Sequence, residues 1–166
     1  MNRATETLNK AKHYFLTNGL LLNSSKTKCI FIGSRHTTSQ IPPDTVINLG
    51  NTTIQPSESV KNLGLYLDTH MTFEKHINEI SKKVMSILLY INRIKDNFDK
   101  PTMKTIVQTL ALSIMNYCST IWGSANDTQL ERIQKLQNFA AKIIDGKARK
   151  FDHVTPINAR ITMAPN

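Results

Sequence analysis

From Phe73 onward, apolar side chains recur with the period of a helix. Phe73, Ile77, Ile80, Val84, Ile87, Ile91 and Ile94 follow one another in alternating steps of four and three. Such steps hold one face, so the pattern predicts a helix of about six turns with a single buried seam. Lys75, Lys82, Lys83 and Arg93 lie off that seam. A second helix is expected from Asp99, an N-cap type, with Pro101 in the first turn where a missing N–H costs nothing. Met103, Ile106, Val107, Leu110, Ile114, Tyr117, Cys118 and Ile121 would line its buried face, and Trp122-Gly123-Ser124 would end it. A third helix starts near Asp127 and carries Leu130, Ile133, Leu136, Phe139 or Ala140, and Ile143. Gly146 closes it, with Lys142 in the last turn, where the helix dipole favours a cation. Short links between long amphipathic helices predict an antiparallel three-helix bundle.

Before Phe73 the pattern is mixed. Leu8, Ala11, Tyr14 or Phe15, and Leu16 predict a helix over 5–17, stopped by Asn18-Gly19. Lys26 to Ile32 is rich in β-formers and ends at Gly33, which reads as a strand. Residues 34–43 are polar, with a Pro42-Pro43 pair, and read as a loop. Thr45–Leu49 and Thr52–Gln55 flank Gly50-Asn51, the pattern of a β-hairpin. Val60 to Leu67 is expected as one strand, with Leu63, Leu65 and Leu67 on its half-buried face. Gly64 stands out inside it, because a mid-strand glycine weakens the strand unless a bulge or a close backbone approach needs it. The fold class is therefore α+β, a small antiparallel β-hairpin or sheet followed by the helix bundle. The organisation expected is 1–70 mixed, 71–146 helical, and 147–166 a basic tail or a truncated next element.

Charge narrows the function. The chain of 166 residues carries 21 Lys and Arg against 12 Asp and Glu, a formal net charge of +9. Such an excess points to a polyanionic partner, most often nucleic acid. Apolar runs such as Leu20 to Leu22 are far too short for a membrane span, and no leader is visible, so an intracellular protein with no membrane partner is expected. Cys29 and Cys118 are far apart and lack metal-binding spacing, so reduced, mostly buried thiols are expected.

Catalytic chemistry has little to stand on. No two acidic residues are adjacent, and Asp96 with Asp99 is a poor start for a two-metal site, which needs carboxylates converging on ions about 4 Å apart. No metal site is expected. No nucleophile elbow, phosphate loop or zinc-protease motif occurs. His13, His36, His70, His76 and His153 are scattered and read as surface residues. The positive signals are basic. Lys26 and Lys28 would share one face of their strand, either as phosphate contacts or as a solvated edge. Lys75, Lys82, Lys83 and Arg93 could follow a backbone at successive turns, with Tyr90 available to stack, or could form an ordinary wet helix face.

Several motifs, in order, resemble the reverse transcriptases of non-LTR, jockey-like retrotransposons. Asn18 to Asn23 followed by Ser25-Lys26-Thr27-Lys28 is similar to the strand after the catalytic turn. Val60 to Asp68, with Lys61-Asn62-Leu63-Gly64 at its centre, resembles the primer grip. Phe73 to Ile77, Ile80 to Lys83, Asn116 to Gly123 and Leu130 to Gln137 resemble the thumb. The resemblance implies that residues 1–70 are part of a palm and 71–146 a thumb. It implies that Lys26 or Lys28 matches a lysine protonating the leaving pyrophosphate. Leu63 and Gly64 would belong to the hairpin holding the primer's 3′ end, and the helices after Phe73 would close on the template–primer duplex. The partners implied are an RNA template, a DNA primer and the remainder of the polymerase, in nucleus or cytoplasm. The aspartates that bind Mg²⁺ in that family are absent from this chain, so template–primer binding without catalysis is the expected function. The alternatives are a helical module that binds a protein partner and a non-functional expressed relic.

Overall fold

The computed structural model describes residues 2–50 and 52–146, and the basic tail expected after Gly146 lies outside them. The fold is α+β, and the chain divides into two compact units, with the boundary in sequence between Thr72 and Phe73.

The first unit opens with helix α1, Asn2–Thr17. Asn18 closes it, its side-chain amide donating to the Tyr14 carbonyl at 2.8 Å, and Gly19 takes the left-handed conformation. Next comes a correction. The strand expected over Lys26–Ile32 does not form, because Asn23 captures the chain first. Its side chain accepts from Lys26 N–H at 3.2 Å and from Ser25 Oγ at 2.7 Å, and its carbonyl accepts from Thr27 Oγ1 at 2.8 Å. An Asn-centred turn of this kind competes directly with strand pairing. All that remains of β-structure here is an isolated bridge between Cys29 and Pro56. The polar stretch read as a loop also holds a short helix, α2 (Arg35–Ser39), capped by Ser34.

The first expected hairpin forms, although Asn51 of its turn pair lies outside the described residues. Strand β1 (Ile47–Leu49) pairs antiparallel with β2 (Thr52–Ile54), and the Gly50 amide reaches back to Asn9 Oδ1 on α1. Leu49 and Ile54 point inward and are buried.

The stretch from Val60 to Leu67 is not one strand. It is a second hairpin, β3 (Ser59–Asn62) against β4 (Leu65–Asp68), with Asn62 directly opposite Leu65. Leu63 and Gly64 are its two-residue turn, with φ of 46° and 90°. Positive φ at both central positions marks the type I′ turn, whose twist suits a tight hairpin. The alternation of leucines was misleading because it ran through the turn. Leu65 is buried, but Leu63 is 85% exposed at the tip. Gly64 is there for its backbone freedom. Gly64→Val should destabilise this hairpin by about 2 kcal/mol, the scale of left-handed strain for a side chain bearing a Cβ. Hydrogen exchange of the β3–β4 amides reads it out; unchanged protection would contradict the turn.

The second unit is helical. Helix α3 runs Glu74–Ile94, introduced by Phe73 in the left-handed region at φ 57°. Its buried residues are His76, Ile77, Ile80, Val84, Leu88 and Ile91. A 3₁₀ turn, Lys95–Asn97, leads to helix α4 (Lys100–Val107), where Asp99 accepts from the Thr102 amide as the expected cap. The middle helix does not stay regular. Gln108–Leu112 form a π-helical stretch, followed by α5 (Ser113–Asn116), a break at Tyr117–Cys118 and the short α6 (Ser119–Trp122). The expected face shifts as a result. Met103, Val107, Ala111 and Met115 are buried, while Leu110, Tyr117 and Ile121 are exposed. Steps of four drift round a regular α-helix, and the wider π turn offsets part of the drift. Helix α7 (Asp127–Asp145) ends at Gly146 in the left-handed conformation, and Ile133, Leu136, Ala140 and Ile143 face inward. The three long segments pack on one another.

Two further expectations change. Cys29 and Cys118 are free but only half-buried. His76 is not a surface residue: it is 2% exposed, with its ring 6.4 Å from that of Trp122. Burial pulls its pKa below the ordinary histidine value. A depressed histidine pKa means that the unfolded chain binds the proton more readily than the folded one. Stability is therefore full above about pH 6.5 and falls as the pH drops through the window down to the folded-state pKa. Thermal melts between about pH 5 and 7.5 should show this slope, and His76→Phe should flatten it.

Candidate nucleic-acid interface

Each unit carries one feature that could meet a nucleic-acid backbone. In the first unit it is the β3–β4 hairpin. Its register sets Lys61 opposite Tyr66, and the Lys61 ammonium stands 5.2 Å from the centre of that ring. Such a cation–π contact at an exposed site is worth about 0.5–1 kcal/mol and holds the charge on the hairpin face. Beyond it, the tip presents Leu63 and Gly64, both exposed. Sequence reading missed Lys61 and Tyr66. Their pairing follows at once when Leu63-Gly64 is taken as the turn.

The base of the hairpin is tied down. Thr69 N–H donates to the Glu58 carbonyl at 3.0 Å, and Gly33 N–H donates to the Thr69 carbonyl at 3.1 Å. Asp68 accepts from the His70 and Thr72 amides and from Thr72 Oγ1. The Ser57 amide donates to the Cys29 carbonyl at 2.8 Å, so the segment bearing Lys28 runs beside this base. Lys26 and Lys28 are both exposed, but they do not share a strand face as expected.

In the second unit the feature is the outer face of α3. Successive helical residues turn by about 100°, which sets Lys75, Lys82 and Arg93 within about 20° of one line. That line is opposite the seam of Ile77, Val84, Leu88 and Ile91. Lys83 lies about 80° round from Lys75, and Tyr90 falls between the two. Along the axis Lys75 to Lys82 is about 10 Å and Lys82 to Arg93 about 16 Å, at roughly 1.5 Å per residue. All four cations are exposed. Lys82 pairs with Glu79 at 3.4 Å, but an exposed i,i+3 pair contributes less than about 1 kcal/mol and yields easily to a phosphate. Helix α7 adds one cation that sequence reading did not single out. Arg132 donates to Asn78 Oδ1 on α3, which brings a guanidinium to the edge of the stripe.

Elsewhere in this unit a cleft of about 280 Å³ is lined by Lys95, Asp96, Phe98, Lys100, Met103, Ile143, Ile144 and Gly146. Of its charged groups, Lys100 pairs with Asp145 at 3.2 Å. Among the described residues no three His, Cys, Asp or Glu side chains converge as a metal site would require. No described helix is long and apolar enough to cross a membrane.

No family model matches the chain, and no solved structure matches it. Among curated proteins it is 27% identical over 128 residues to a probable RNA-directed DNA polymerase from transposon X-element of Drosophila melanogaster. The match covers 75% of this chain and 14% of that protein, so the chain spans about one-seventh of the relative's length. The resemblance to a non-LTR transposon reverse transcriptase, drawn from the ordered motifs, is borne out.

Proposed function

We propose that this chain is the portion of a transposon RNA-directed DNA polymerase that holds the template–primer duplex. On this reading the residues up to Thr72 belong to a palm, and the helices from Phe73 form a thumb. The observation that carries it is the stripe of Lys75, Lys82 and Arg93 on α3, set opposite the buried seam. Cations on one rigid helix face can follow a phosphate backbone without reading its sequence. The β3–β4 hairpin supports the reading, because its tip offers backbone and one apolar side chain, Leu63, and no bulky polar group to obstruct a strand end.

Among the described residues no cluster of His, Cys, Asp or Glu converges as a metal site would require, and on this reading the chemistry of nucleotide addition would be supplied by the remainder of the polymerase. Lys26 or Lys28 would act only beside such a site, as a proton donor to leaving pyrophosphate. The first unit leaves Leu21 86% and Leu20 57% exposed, with Tyr14 and Leu16 exposed nearby. Apolar surface of this kind suits contact with the remainder of a polymerase. The setting would be intracellular, in nucleus or cytoplasm, where template and primer meet.

Binding of an RNA–DNA duplex, measured by fluorescence anisotropy over a salt series, tests the proposal. Several phosphate contacts should make log K fall steeply and linearly with log salt. A flat response would reject backbone binding.

A further inference from the structure

We infer that the carboxy-terminal half of α3 is a stacking platform for single-stranded RNA, with Tyr90 as the platform and Lys83 and Arg93 as its phosphate contacts. The inference rests on the reading above and adds a second kind of substrate to it. Tyr90 is 64% exposed, and its neighbour Leu89 is 45% exposed. The ring takes no part in the seam, which passes through Leu88 and Ile91 on the other side of the helix.

The surroundings of that ring match one ligand. Lys83 lies within about 20° of Tyr90 around the helix, and Arg93 about 60° round, one turn further on. The two cations thus bracket the ring over about 15 Å of helix at roughly 1.5 Å per residue. Neither makes an ion pair among the described residues. No Asp or Glu occurs anywhere between Lys83 and Arg93, so this stretch of the helix sets no carboxylate against a phosphate. Helical side chains lean toward the amino terminus, which carries the Tyr90 ring toward Ser86, a small side chain one turn earlier. A flat ligand can therefore approach the ring without displacing a long side chain.

An exposed aromatic between cations is the arrangement that holds unpaired nucleotides, with the base on the ring and the backbone on the charges. A duplex cannot use it in the same way, because its base faces are already covered by their neighbours. The strand that fits is a stretch of RNA template not paired to primer.

The test compares a fluorescein-labelled single-stranded RNA, the same sequence as single-stranded DNA, and an RNA–DNA duplex of equal length. All are titrated with the full chain at fixed salt. Tyr90→Ala should weaken RNA binding about tenfold, within the range for loss of one stacked base, and leave duplex affinity within about twofold. Tyr90→Phe should bind RNA like the parent chain, whereas Tyr90→Leu, apolar but without a ring, should behave like the alanine variant. Equal loss on RNA and duplex, or full affinity in Tyr90→Leu, would overturn the platform. Tighter binding of the DNA strand would overturn its assignment to RNA. If the duplex binds but Tyr90→Ala leaves the RNA unaffected, the platform alone falls. If nothing binds, the proposed function falls with it.

Discussion

Replacing Lys75, Lys82, Lys83 and Arg93 together by alanine should lower affinity for an RNA–DNA duplex roughly 10²- to 10³-fold at about 0.15 M salt. Each phosphate contact adds close to one unit to the slope of log K against log salt, so removing four should flatten that slope by up to about four. The fold should not suffer. All four side chains are exposed, and alanine is the strongest helix former. Circular dichroism should therefore show an unchanged helix content alongside the lost binding. Single substitutions separate the contributions. Lys82→Ala should cost less than Arg93→Ala, because Lys82 is already partly neutralised by Glu79 at 3.4 Å. An unchanged duplex affinity in the fourfold variant would return the helices to the role of a protein-binding module.

The second large effect is on stability. Leu88→Ala should destabilise the helical unit by about 3 kcal/mol, because the side chain is fully buried and the space it leaves cannot collapse completely. Leu89→Ala, one residue along, should change stability by less than about 0.5 kcal/mol, since that leucine is 45% exposed. Chemical denaturation followed by circular dichroism measures both. The pair is informative because the two residues are chemically identical and differ only in azimuth. Equal effects would mean that the seam is misassigned.

Leu88 also shows how far periodicity reaches. Alternating steps identified α3, its length and its buried side, but they chose Ile87 over Leu88, and Ile87 is only half-buried. A hydrophobic stripe has width, and only the positions of α4, α5 and α7 decide which residue takes its centre. His76 was missed for the same reason. A histidine one position from the seam looks wet until Trp122 packs over it.

The local signals that held were those that act within a few residues. Asp99 as a cap, Gly146 as a left-handed stop and the short connection between β1 and β2 each depend on local backbone geometry. The local signal that failed outright was strand propensity over Lys26–Ile32, where the Asn23 hydrogen bonds were stronger than the preference of the side chains. The basic character of α3 was legible because exposed charges need no partner to be exposed. Its alignment with Tyr90 was legible as well, as a matter of spacing.

The amphipathic plan follows from the residues alone: α+β class, one long helix with a basic outer face, and ordered motifs that resemble those of a transposon polymerase. Which residues that plan exposes is set by tertiary packing. Whether Leu63 is a core leucine or the tip of a hairpin depends on strand pairing between residues that a period-two pattern cannot tell apart. The pairing of Asn62 with Leu65 turns Leu63 and Gly64 outward and brings Lys61 beside Tyr66. Hydrogen bonding across strands is a non-local choice. A linear pattern records which faces are apolar, and the partner strand decides where the chain reverses.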